Sequence, residues 1–359
     1  IIGSPFYPLL SKFTGHMKSP DLRKIEFTLS NILTFPWNYT MGKLQQETYL
    51  GPVFLILLPL ILLFKRIDKN IKFLFVYFSM FFILWFFIAF AYCRFLVLGL
   101  PPISIIMAYY VVSPKWNNLV KKSIIFFLVF IAFENIYYAA FIQKSTMDPL
   151  GFVLGLQSKK DYLSTQRPTY PCPYYQVVEW INENTPKNAK ILLVGECRGY
   201  YLKRKYITHM VSDPNPIVEY CKEVNSCDEL YTKLRKDNIG YVLFNIPEAR
   251  RLAAYDIFCF TERELKILTE FWNKYIEEVY SACSDVTLND GRYGSSIPEF
   301  WNRYITDPRN YVHVYKLLSE DELKKPHKIP LNLFLIPEIY SPERYSKLKP
   351  TIDLLVTTK

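Results

Sequence analysis

Apolar residues crowd into four runs between positions 48 and 142, after which the pattern changes to alternating helix-like and strand-like segments. The runs are Thr48 to Phe64, Ile71 to Tyr92, Phe95 to Val112 and Ser123 to Ile142. Each is close to the roughly 20 helical residues that cross a hydrocarbon layer. The first is short, and the third carries Pro101-Pro102, which predicts a kink or tilt. The loop after the first run holds Lys65, Arg66, Lys69 and Lys72, and the loop after the third holds Lys115, Lys121 and Lys122. Short basic loops stay on the cytoplasmic side of a membrane. The Cys93-Arg94 turn and both ends of the chain are therefore expected on the outer face.

This pattern divides the chain. Residues 1–48 read as an outward loop with an amphipathic helix in "SPDLRKIEFTLSNILTF", where Ser19 is the N-cap and Pro20 the first helical residue. Leu22, Ile25, Leu29, Ile32 and Leu33 share one face, so the helix either lies on the membrane surface or packs within the loop. Residues 49–142 form the four predicted transmembrane helices, and residues 143–168 a polar, Pro-containing linker. Residues 169–320 read as an outward-facing α/β domain. Its elements are helix "YYQVVEWINENTP", strand "KILLVG", extended "KYITHMVS", helix "CDELYTKLRKDN", strand "GYVLFN", helix "TERELKILTEFWNKYIEEVYSA" and strand "YVHVYKLL". Strands alternating with helices predict a mostly parallel sheet. Residues 321–359 read as a Pro-rich C-terminal tail.

Composition and charge narrow the function. The formal charge is +10, yet the Lys and Arg residues are spread along the chain and gather at the ends of apolar runs, which argues for a membrane protein and against nucleic acid. No Met opens the chain, and "IIGSPFYPLL" lacks the features of a signal peptide, so the chain is expected to be the C-terminal part of a longer protein. None of the seven cysteines has Cys-x-x-Cys spacing, which argues against a zinc site. With Cys93 in the membrane region, the other six permit up to three disulfides in an oxidising compartment, or free thiols in a reducing one. The four histidines show no ligand spacing. Glu134 and Asn135 lie inside the fourth run, where an ionisable side chain marks a functional candidate or pairs within the bundle. Asn38-Tyr39-Thr40 is a formal glycosylation sequon.

The stretch "ILLVGECRGYYLKRKYITHMVSD" places Gly195 and Gly199 after a strand and Asp213 near the end of the next extended piece. A third glycine is missing and bulky side chains fill the turn, which argues against a dinucleotide. If these strands are parallel neighbours, Glu196, Asp213 and Asn245 emerge at their carboxyl ends, with Arg198 and Glu248 close behind. Such a cluster either binds sugar or phosphate, or caps helices and pairs internally.

Four stretches resemble bacterial members of the GT-C superfamily, multi-span glycosyltransferases related to protein O-mannosyltransferases and to the aminoarabinose transferase of lipid A. They are "GSPFYPLL" (3–10), "LTFPWNYTM" (33–41) leading into "LGPVFLILLPLILLF" (50–64), "RFLVLGLPP" (94–102), and "NTPKNAKILLVGECRGYYLKRKYI" (184–207) followed by "YVLFN" (241–245). Ser4 and Phe95 depart from the family's Asn and Tyr. The resemblance implies transfer of a sugar from a polyprenyl-phosphate carrier to a protein, lipid or glycan acceptor at the outer face of the inner membrane. It also implies a catalytic acid upstream of Ile1 and a divalent metal held, if at all, outside this chain. Arg94, at the outer end of a span, is the residue expected to bind the carrier phosphate or the acceptor. The alternatives are a membrane-anchored module that binds a glycan or partner, and an envelope polysaccharide ligase or transporter.

Overall fold

The computed structural model describes residues 28–41, 53–57, 68–89, 93–112, 116–167, 170, 172–211, 213–283 and 310–357. The chain divides into two units near residue 145.

In the first unit, helix α1 spans Leu29–Thr40, with the Thr28 hydroxyl accepting from the Asn31 amide as its N-cap. The predicted start at Ser19 lies outside the described residues. Leu29 and Leu33, expected on the apolar face, are exposed, while Phe35 and Tyr39 are buried against Trp85 and Leu96. Helix α2 spans Lys69–Ala89. Residues Cys93–Gly99 then form a 3₁₀ helix that runs directly into helix α3, Leu100–Val111.

The long apolar stretch thus doubles back on itself. Ile71 at the start of α2 packs with Ile103, Ile106 and Tyr110 of α3, and the Phe81 ring lies where a Cβ on Gly99 would stand, 2.6 Å away. Pro101-Pro102 fall at the change from 3₁₀ to α geometry, where the missing N–H groups cost no helical hydrogen bond. Helix α4 spans Asn118–Thr146.

Among the described residues, two helices, α2 and α4, are long and apolar enough to cross a membrane. Phe73, Met80 and Phe87 on α2, and Phe126, Phe130 and Phe133 on α4, are exposed. Four membrane-length helices were expected. Residues Phe95–Val111 form a shorter apolar helix, and the run Thr48–Phe64 is described only as helix over Val53–Leu57.

The second unit is built on a five-stranded sheet. Its elements are helix α5 (Tyr175–Asn184), strands β1 (Lys190–Val194) and β2 (Lys205–Ile207), helices α6 (Pro216–Lys222) and α7 (Cys227–Lys236), strand β3 (Ile239–Asn245), and helices α8 (Ile246–Arg251) and α9 (Glu262–Tyr275). Strands β4 (Ile276–Cys283) and β5 (Tyr311–Leu317) and helix α10 (Pro342–Thr357) follow.

Strand order is β2-β1-β3-β5-β4. The first three strands are parallel, as the alternation of strands and helices predicts, but β5 runs antiparallel to both β3 and β4. The sheet is therefore mixed rather than mostly parallel. Strand β4 was read as the end of the preceding helix; α9 stops at Tyr275, and Ile276 pairs with Leu317 instead.

Side chains alternate across the sheet. Ile191, Leu193, Leu243, Val312 and Val314 meet Val177, Val178 and Ile181 of α5. Leu192, Val194, Val242, Phe244 and Tyr315 meet α6, α7 and α9 on the other face. Covered on both faces, β1 reads as a continuous apolar run. Helix α9 buries Leu265, Leu268, Phe271, Trp272 and Tyr275, and a capping box between Thr261 and Glu264 fixes its start. The Pro-rich segment expected as a tail joins this core through Leu333, Phe334, Tyr340, Leu348 and Ile352.

Candidate functional site

The carboxyl ends of β1 and β3 bring four of the five predicted polar residues together. The chain leaves β1 through Gly195, whose φ of 66° places it in the left-handed region. A Cβ there would lie 2.6 Å from the Ala249 Cβ and 2.8 Å from the Asn245 carbonyl. Only glycine fits both the dihedral and the gap. At Gly199 a Cβ would run into the Tyr206 ring. The two glycines that hinted at a dinucleotide loop are therefore explained by close packing of protein against protein.

Glu196 is fully buried. Its Oε1 accepts from the Cys197 and Arg198 amides at 3.0 and 2.9 Å and from Arg198 Nε at 2.7 Å. Its Oε2 accepts from Arg198 Nη2 at 2.6 Å and from Asn245 Nδ2 at 2.8 Å. The Asn245 Oδ1 in turn accepts from the Glu248 amide, capping α8. Glu248, also buried, holds Arg251 in a second two-point pair at 2.6 and 2.7 Å.

Residues from well upstream close the network. Arg198 stands over the Tyr170 and Tyr174 rings at 4.8 and 5.0 Å, and its Nη2 also donates to the Cys172 carbonyl at 3.1 Å. The Tyr174 hydroxyl donates to the Arg198 carbonyl. Burial alone would lower the Arg198 pKa, but the bonds and charge of Glu196, with Glu248 beyond, hold it above its ordinary value. Burial, and then the Glu248 carboxylate, push the Cys172 thiol up to about 12. Tyr170, Cys172, Tyr174 and Arg251 were not singled out in the sequence, because they reach the strand ends only through the fold.

Asp213 lies elsewhere, on the wall of an open depression shared with His209, Tyr220 and Lys233. The His209 ring is buried, its Nδ1 lies 2.7 Å from the Met210 carbonyl, and burial holds its pKa below the ordinary value. Cys172, Cys197, Cys221, Cys227 and Cys259 are free thiols. Among the described residues, no group of three or more His, Cys, Asp and Glu side chains is arranged to hold a metal ion.

Arg94 is the second residue of the 3₁₀ helix, at the turn between α2 and α3. An aromatic group of Phe35, Tyr39 and Trp85, with Leu96, packs at this end of the hairpin. Tyr110 and Trp116 mark the other end, where the Trp116 indole donates to the Tyr110 carbonyl at 2.8 Å.

The strand-end cluster is thus a self-paired network, and the Arg94 turn is a basic residue at the end of an apolar hairpin. No family model matches the chain, and no curated protein or solved structure matches it.

Proposed function

We propose that this chain is part of an integral inner-membrane glycosyltransferase. It takes a sugar from a polyprenyl-phosphate carrier and passes it to a protein, lipid or glycan acceptor on the outer face, with four spans and an extracytoplasmic α/β domain. The observation that carries this reading is the position of Arg94 at the turn of an apolar helical hairpin.

The dimensions support it. The 21 residues of α2 rise about 32 Å at the α-helical step. The shorter return limb compensates through its 3₁₀ stretch: seven residues at about 2.0 Å and twelve at about 1.5 Å also reach roughly 32 Å. Both match a hydrocarbon layer of about 30 Å. Trp and Tyr side chains lie at the two ends of the hairpin, as they do at membrane interfaces. Lys69 and Lys72 begin α2 and Lys115 follows α3, and this charge bias supports an Arg94 turn at the opposite, outer end.

A guanidinium at that level meets a carrier phosphate with charge-assisted, two-point hydrogen bonds. As the sugar's anomeric carbon–oxygen bond breaks, negative charge grows on the departing phosphate, and a fixed cation stabilises that change. The strand-end network has a structural part in this scheme. Its carboxylates are already matched by Arg198 and Arg251, which argues against a glycan cleft there.

The test is transfer of labelled sugar from a polyprenyl-phosphate donor by membranes containing the protein, expressed from its own gene, or its Arg94 variants. Arg94→Ala should abolish transfer at unchanged protein level, and Arg94→Lys should retain a fraction. Undiminished transfer by Arg94→Ala would remove Arg94 from the site.

A further inference from the structure

The segment that follows α4 in the chain was expected to be a polar linker. It is instead a folded loop with an apolar outer surface. Asp148 takes a left-handed conformation, a single helical turn follows over Leu150–Val153, and Gly155, with φ of 72°, reverses the chain. The Leu156 and Gln157 amides close the turn onto the Gly151 carbonyl at 2.8 and 3.0 Å.

The loop is anchored to the α/β unit. Phe152 stacks on Tyr162 at 5.1 Å, and the Tyr162 hydroxyl donates to the Met147 carbonyl at 3.0 Å. Arg167 lies over the Tyr162 ring and feels the charge of Asp148.

Despite this order, the large side chains point outward. Relative exposure is 45% at Met147, 55% at Leu150, 71% at Val153, 67% at Leu154 and 81% at Leu156. Isolated exposed apolar residues are common on soluble proteins, but so dense a group on a hydrogen-bonded turn marks a contact surface. Its place in the chain narrows the partner, because the loop begins directly after a membrane-length apolar helix that ends at Thr146. Lys144 precedes it and Lys159 follows, both exposed, which complements anionic headgroups, while Lys160 pairs with Glu179 at 2.9 Å.

We infer that residues 147–156 dip into the bilayer at the headgroup–acyl boundary, with Val153, Leu154 and Leu156 as the inserted side chains, and dock the α/β unit on the lipid surface. The inference rests on the membrane reading above, yet it is separable from it. An apolar loop flanked by lysines adsorbs to an interface through buried apolar area and attraction to anionic lipid.

The experiment places a photoreactive benzoylphenylalanine singly at Leu84, Leu154, Leu156 or Glu183 of the whole chain in phosphatidylethanolamine–phosphatidylglycerol vesicles. Adducts are then identified by mass. Leu84 is an exposed residue of α2, and Glu183 an exposed residue of α5. Lipid adducts at 154 and 156, comparable with those at 84 and at least tenfold above those at 183, are the expected result. The Leu154→Asp/Leu156→Asp pair should also abolish lipid capture from a probe at Val153.

Lipid capture at 84 but not at 154 or 156 overturns the inference and leaves the membrane reading standing. Chain-to-chain adducts at 154 overturn it in favour of a second copy. Absence of lipid adducts at all four positions overturns both.

Discussion

Replacing Arg198 with alanine removes the partner of a carboxylate that the fold has taken out of water. Glu196 is fully buried and accepts five hydrogen bonds, two of them from the Arg198 side chain. Without Arg198 the carboxylate keeps two backbone amides and Asn245 but loses the charge it is paired with. Breaking a buried pair from one side costs about 3–5 kcal/mol. The Arg198 side chain retains 31% exposure, so water softens the loss and the lower end, about 3 kcal/mol, is expected.

The assay is pulse proteolysis of the whole chain in nonionic detergent across a urea gradient, following the α/β unit. With a urea dependence of about 2–3 kcal/mol per molar, the midpoint should fall by roughly 1–1.5 M. The Glu196→Gln/Arg198→Ala pair should recover part of that loss, because the unmatched charge is gone. A midpoint within about 0.2 M of the wild type for Arg198→Ala would refute the structural assignment of the network.

Other expectations can be checked on the same preparation. Gly195→Ala should cost about 2 kcal/mol or more in the urea midpoint, since it adds a strained dihedral to a 2.6 Å clash with Ala249. The Glu278 carboxyl is held below its ordinary value by the His313 ring, whose Nδ1 lies 3.2 Å away. Its contribution is therefore complete above the unfolded carboxylate's pKa, and is lost as pH falls from there through the lower folded value. Glu278→Gln should lower the stability plateau near pH 7 and leave stability below the folded pKa unchanged, so the acid side of the profile flattens. Cys172 and Cys221, buried and with raised thiol pKa values, should resist iodoacetamide in the native chain and react once urea unfolds the unit, as read by peptide mass.

The apolar runs, the basic loops and strands β1, β3 and β5 are legible in the sequence because each rests on local pattern. The split of the longest apolar stretch at Cys93-Arg94 follows from the charge of loops on either side. Strand β4 is not legible. The helical pattern of α9 continues into Glu277 and Glu278 without a Gly or Pro to stop it, and only pairing with β5 makes those residues a strand. The antiparallel direction of β5 is likewise a property of long-range pairing. At the strand ends, Glu196, Arg198, Asn245 and Glu248 can be found by position relative to the strands. Tyr170, Cys172 and Tyr174 arrive from more than twenty residues upstream, and Arg251 pairs one helical turn beyond Glu248, so no motif announces them. The outward apolar face of residues 147–156 was hidden by the Asp, Pro and Gly interspersed among its large side chains.

Binding of a lipid-carrier phosphate by Arg94 is the core of the proposed function. Native mass spectrometry of the whole chain, released from detergent with added polyprenyl phosphate or the matching polyprenyl alcohol, measures this directly. The expected result is retention of the phosphate form by the wild-type chain, a loss of tenfold or more in Arg94→Ala, and weak retention of the alcohol by both. Equal retention of polyprenyl phosphate by the wild-type and Arg94→Ala chains would contradict it.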